Sequence, residues 1–208
     1  MNESGVPVPA EIGHALAEIG RRCHARHWAA GTSGNFSQVA RRDPLLLAIT
    51  RTGADKSRLT AADVVMVNAD GAVRGGCGEP SDETPLHLAI VQQQHAGAVL
   101  HTHSVWATLA SERYATDGAV ALTGFEMLKG LAGVTSPTHR EILPILDNDP
   151  DRDSLAGQII SRLAGEPTTH GLLLRSHGLT TWGDSLDAAL RHLEVLEFLL
   201  EVVGREAR

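Results

Sequence analysis

The stretch Ala98–Thr108, AVLHTHSVWAT, decides how the rest of the chain is read. An apolar run leads into His101 and His103, and Ser104 then opens a segment with helical spacing. The run predicts a strand over Ala98–His101, and Ser104 is suited to cap a helix over Val105–Arg113. Side chains at i and i+2 of a strand share a face. His101 and His103 can therefore aim at one point, with Thr102 on the other side. That geometry suits two zinc–nitrogen bonds of about 2.0–2.1 Å, and it equally suits two partly exposed histidines at a strand end. Catalytic zinc usually takes three protein ligands and leaves one position open. His177 is the leading candidate for the third, because it follows the apolar run GLLLR and precedes Gly178, which permits a tight turn. His87, on a predicted helix, and His95, at its end, read as structural or surface residues. His139 and His170 sit in loops and are weaker candidates, and His14, His24, His27 and His192 read as solvated helix residues.

Outward from this stretch, apolar spacing predicts helices over Pro9–Ala29, Glu83–His95, Asp153–Leu163 and a C-terminal segment capped by Asp184. FEMLKGLAG reads as a further short helix. GTSGNFSQVA reads as a Gly/Ser turn entering a short strand, and strands are expected over Leu45–Thr50, Val64–Asn68, Ala72–Arg74, Ala119–Leu122, Glu141–Leu146 and Gly171–Arg175, and over LTTW; Asp70-Gly71 marks a hairpin. Short strands between flanking helices point to an α/β sandwich with a largely antiparallel sheet. At least four helical segments argue against a jelly roll, which could also use an H-x-H pair.

The 208 residues fit a single domain over 1–208. A net charge of -7 argues against non-specific nucleic-acid binding, which needs a basic face. No apolar run approaches the roughly 20 residues needed to span a bilayer. The N-terminus lacks the basic start and apolar core of a signal peptide. Two cysteines, Cys23 and Cys77, make no disulfide framework, so a reducing, cytoplasmic setting is expected.

Three Gly/Ser/Thr clusters are candidates for holding an anion: Gly31–Asn35, Thr50–Gly53 and Glu79–Thr84. Small loops let backbone N–H groups approach a phosphate, and a helix N-terminus adds a favourable dipole. None has P-loop spacing. The simplest structural role of Asp82 and Glu83 is to cap helix N–H groups.

Together GTSGNFS, ITRTGADKS, EPSDETPLH, VLHTHS and RSHGL, spread from Gly31 to Leu179, resemble the class II aldolase/adducin-like family. The resemblance implies a three-layer α/β/α sandwich around a mainly antiparallel sheet. It implies a homotetramer with one zinc per subunit, held by His101, His103 and His177. It also implies substrate contacts from Asn35, Thr52, Gly53 and Ser81, with Glu83 lining the site. FEMLKGLAG and LPILDNDPD are similar to the branch of the family that dehydrates a small phosphorylated keto-sugar, which implies a catalytic carboxylate at Glu126. By residue pattern alone, Glu126 would be a helix-surface glutamate. Two other activities fit the family: sugar-phosphate cleavage with Glu83 as acid/base, and a non-catalytic assembly domain. Asp82 and Arg51 depart from the small or apolar residues commoner at their positions.

Overall fold

Leu45–Thr50 shows how the sheet is built. Leu46 and Ala48 pack into one hydrophobic core, and Leu47 and Ile49 into another on the opposite face. A strand buried on both faces must be apolar throughout, which is why LLLAIT shows no polar alternation. These observations come from a computed structural model that describes residues 5–166 and 168–206.

The strands are β1 (Asn35–Arg42), β2 (Leu45–Thr50), β3 (Val64–Asn68), β4 (Val73–Gly75), β5 (Ala98–Thr102), β6 (Ala119–Leu122), β7 (Glu141–Leu146), β8 (Gly171–Leu174) and β9 (Gly178–Gly183). They form one nine-stranded sheet in the order β4-β3-β2-β1-β5-β9-β8-β7-β6. Among the described residues only β7 and β8 pair in parallel. Helices α1 (Ala10–Ala25), α3 (Val105–Arg113) and α5 (Leu186–Glu206) contribute to the first core, and α2 (Thr84–Gln94) and α4 (Arg152–Ala164) to the second. The expected three-layer α/β/α sandwich is thus the architecture found. None of the described helices is long and apolar enough to cross a membrane.

Three local expectations change. The first helix ends at Ala25 rather than near Ala29, because the chain turns through His27 at a φ of 62°. Ser185, not Asp184, caps α5: its hydroxyl accepts from the Ala188 amide at 3.2 Å. His192 is buried rather than solvated, with Nδ1 donating to the Trp182 carbonyl at 2.7 Å and Nε2 accepting from the Ala132 amide at 3.1 Å. Cys23 and Cys77 are both free.

The register fixes two opposite ends of the sheet. Thr102 of β5 pairs with Leu179 at the start of β9. Leu174 of β8 and Leu146 of β7 lie at that same end. At the other end, Leu122 of β6 pairs with Glu141, the first residue of β7. The short helix Glu126–Gly130 follows β6, so it leaves the edge strand at the end opposite His101 and His103.

Candidate metal centre

His101 and His103 stand at the C-terminal end of β5, as strand alternation requires. His177 lies in the tight β8–β9 turn, where the Ser176 φ of 52° brings the chain back on itself. That turn is fastened to α3: the Ser176 amide donates to Ser111 Oγ at 3.0 Å, and Arg175 pairs with Glu112 at 2.8 Å. Gly178 is needed for a close approach to the neighbouring strand. A Cβ there would sit 2.0 Å from the Thr102 carbonyl oxygen.

The three rings converge through their Nε2 atoms. His101 Nε2 is 2.8 Å from His103 Nε2 and 3.3 Å from His177 Nε2. His101 Nδ1 faces two oxygens, the Leu179 carbonyl at 3.1 Å and Thr180 Oγ1 at 3.0 Å. Donation to the Leu179 carbonyl puts the proton of the neutral ring on Nδ1 and leaves the Nε2 lone pair aimed at the cluster. Burial and the neighbouring histidines push the His103 imidazole down to about 3 and that of His177 to about 4. The neutral form so favoured at His103 and His177, with Nε2 atoms converging on one point, suits a bound cation.

Glu83 completes the group. It stands at the N-cap of α2, yet its carboxylate caps no helix N–H. Its expected capping role is therefore not found: the side chain turns to the histidines, 3.3 Å from His101 Nε2 and 3.4 Å from His177 Nε2. Burial alone would raise this carboxyl. The field of the histidine rings and the Asn35 hydrogen bond outweigh that and hold it down at about 2. All four ligand atoms lie within 4.8 Å of one another. Glu83 Oε1 and His177 Nδ1 have no hydrogen-bond partner among the described residues. Three imidazoles and a carboxylate in a buried cluster are a donor set that fits a divalent cation.

Behind Glu83 runs a buried chain that sequence reading did not find. Ser37 Oγ meets His87 Nδ1 at 2.7 Å, His87 Nε2 meets Asn35 Oδ1 at 2.5 Å, and Asn35 Nδ2 donates to Glu83 at 2.7 Å. Because the Asn35 amide donates forward to Glu83, its oxygen must accept from His87, whose Nδ1 must then accept from Ser37. Burial pushes the His87 imidazole down to about 3, in keeping with a neutral ring. The only sequence signal for this chain was the helical placement of His87 four residues after Glu83.

A cleft of about 210 Å³ opens beside the cluster. Asn35, Thr52, Gly53, Ser81 and Glu83 line it together with His103 and His177, so every expected substrate-binding position falls there. Lys56 and Arg152 line it too and were not singled out from the sequence. Glu126 does not join this group. Its side chain is 73% exposed and pairs with Lys129 one turn on.

The fold and this centre define a class of protein. The chain belongs to the family of the class II aldolase and adducin N-terminal domain, whose model matches residues 14–203. It is 41% identical over 194 residues to a methylthioribulose-1-phosphate dehydratase of Sorangium cellulosum, covering 92% of this chain and 91% of the relative. It is 40% identical over 200 residues to another of Acidiphilium cryptum, covering 92% of each chain. Among solved structures, YgbL of Klebsiella pneumoniae superposes with a TM-score of 0.80 at 25% identity, over 95% of this chain and 90% of that one. An L-fuculose 1-phosphate aldolase superposes with a TM-score of 0.78 at 20% identity, over 100% and 92%.

Proposed function

We propose that this chain, a single domain over 1–208, dehydrates 5-methylthioribulose 1-phosphate to 5-methylthio-2,3-dioxopentyl phosphate, the step that places it in methionine salvage. The observation that carries the reading is the convergence of His101, His103, His177 and Glu83 beside the Gly/Ser/Thr loops. About 40% identity to relatives named for that reaction, across nine-tenths of the chain, supports the choice of reaction. The histidines would hold zinc, which when bound would supply Lewis-acid charge to the substrate carbonyl and so make the neighbouring C3–H more acidic. Asn35, Thr52, Gly53 and Ser81 hold the phosphate end, and the Ser37–His87–Asn35 chain keeps Glu83 an oriented carboxylate. A carboxylate removes the C3 proton, the C4 hydroxyl departs as water with a proton from the acid form, and the resulting enol tautomerises to the diketone.

Glu126 is the carboxylate we assign to that proton transfer. It leaves the sheet at the end opposite the cluster, so it works in the site of a neighbouring copy. A homotetramer, with each cleft completed by the next subunit, accommodates this. The setting is cytoplasmic. Glu83 supports a second reading, an aldolase that cleaves a carbon–carbon bond, because it already faces the cleft. A non-catalytic assembly domain has no need for a buried donor set of this kind.

Incubation of the zinc-loaded protein with 5-methylthioribulose 1-phosphate decides among them. Growth of diketone absorbance is the expected result. Dihydroxyacetone phosphate in a coupled assay, without diketone, would replace the dehydratase with the aldolase. A protein that takes up no zinc on loading and turns nothing over would revive the assembly domain.

A further inference from the structure

We propose that Lys56 recognises the anionic end of the substrate, its buried ammonium supplying the counter-charge for a phosphate dianion in the cleft. The inference rests on the cleft being a keto-sugar-phosphate site, as argued above.

Lys56 opens a short helical turn, Lys56–Arg58, and is 1% exposed. Its Nζ donates to the Thr32 and Ala54 carbonyls, at 3.0 Å each. One ammonium thus ties the Gly31–Asn35 loop to the Arg51–Asp55 loop, both of which line the cleft. Two of its three N–H groups are accounted for in this way.

Its charge is not. The nearest acids are committed elsewhere: Asp55 to Ser57 and Arg58, Asp63 to Arg51 and Thr60. Burial of an unpaired cation is costly, and it pushes the Lys56 ammonium down to about 8. A lysine serving only as a staple would relieve that cost by pairing with a carboxylate or by reaching water. Lys56 has no carboxylate within ion-pair distance among the described residues, and it lines the cleft. Ser33 Oγ lines the same cleft, is buried, and has no partner among the described residues. An unspent cation and an unspent hydroxyl on one wall suit an anion that carries several acceptor oxygens.

The cleft carries other charges, among them the exposed carboxylate of Asp82. Arg51 is held by Asp63 at 2.7 Å. Arg152 is bound to Asn148 Oδ1 at 3.1 Å and the Asp149 carbonyl at 2.9 Å. Glu83 faces the histidines. Arg152 meets only neutral oxygens and its charge is felt at His177, so the cleft carries positive charge at both ends, and Lys56 is the buried cation of the loop wall. A phosphate seated on Lys56 directs the keto end of the sugar to the cluster.

The test is binding of inorganic phosphate to zinc-loaded wild type and to Lys56→Met, by calorimetry and by competition against turnover. Lys56→Met is expected to weaken phosphate binding by about 10- to 100-fold. KM for the phosphorylated substrate should rise by a similar factor, with kcat changed far less and zinc content unchanged. Lys56→Arg should recover much of the phosphate affinity. Equal phosphate affinity in wild type and Lys56→Met overturns the proposal. Should Lys56→Met fail to fold, lysine-labelled wild type serves instead: saturating phosphate must raise the Lys56 ammonium pKa, and an unmoved pKa overturns the proposal. If phosphate binding depends on Lys56 but no diketone forms, it is the assigned reaction that fails.

Discussion

Glu83 holds the N-cap of α2 and caps nothing, and that choice of direction sets the chemistry of the cleft. The sequence offers EPSDETP as a helix start, correctly, but a carboxylate at a helix start ordinarily serves the helix. Only the strand ends that deliver His101 and His177 give it something better to face, and they are distant in sequence. His87 was obscure for the same reason: each of its partners lies about 50 residues away. Another buried carboxylate sits behind β5. Glu197 accepts from Thr102 Oγ1 at 2.8 Å, while its other oxygen has no partner among the described residues. Burial raises this carboxyl to about 7. A carboxyl raised in the folded state favours folding below its unfolded value and loses that advantage as pH rises through the folded one. The window therefore runs from about pH 4.5 to about pH 7. Glu197→Gln does not titrate, so its stability relative to wild type should improve across that window by up to about 3 kcal/mol. Chemical denaturation at pH 5 and pH 8 measures it, and parallel wild-type and variant profiles would contradict it.

At the scale of elements, β5 and α3 were legible because their signals are local: an apolar run, an i/i+2 pair, and a serine whose hydroxyl accepts from the Ala107 amide at 3.0 Å. The α5 cap was misread by one residue. Asp184 and Ser185 are both good caps, and the strand decides between them. Gly97 lies so close to Asp184 that a Cβ there would come within 2.0 Å of its carbonyl oxygen, which holds Asp184 in the sheet layer. Gly178 was read as a turn residue, but it serves the contact between β9 and β5. Gly178→Ala must push the strands apart at Thr102, between the two histidines. We expect a loss of about 2–4 kcal/mol in stability, and zinc content reduced as far as in His101→Ala. Thermal melts and metal analysis check both, and full zinc occupancy would show that the strand ends tolerate the shift.

For the whole molecule, the layer order was legible from the alternation of strand and helix patterns. The separation of Glu126 from the histidines was not, because it depends on which strand lies at the edge and which way it runs. Four strand intervals at about 4.8 Å each put β6 roughly 19 Å from β5 across the sheet. If Glu126 serves a neighbour, two inactive chains can repair each other. Co-refolded His101→Ala and Glu126→Gln should regain activity that neither shows alone, and a mixture as dead as its parts would place the working carboxylate within the same chain. The geometry also has a genetic consequence. A chain carrying both lesions but still able to assemble would not be a silent passenger. It would spoil the clefts of its healthy neighbours as well as its own, so an equal mixture retains about a quarter of full activity rather than half. Such an allele would be dominant, with the remaining activity falling as the square of the healthy share.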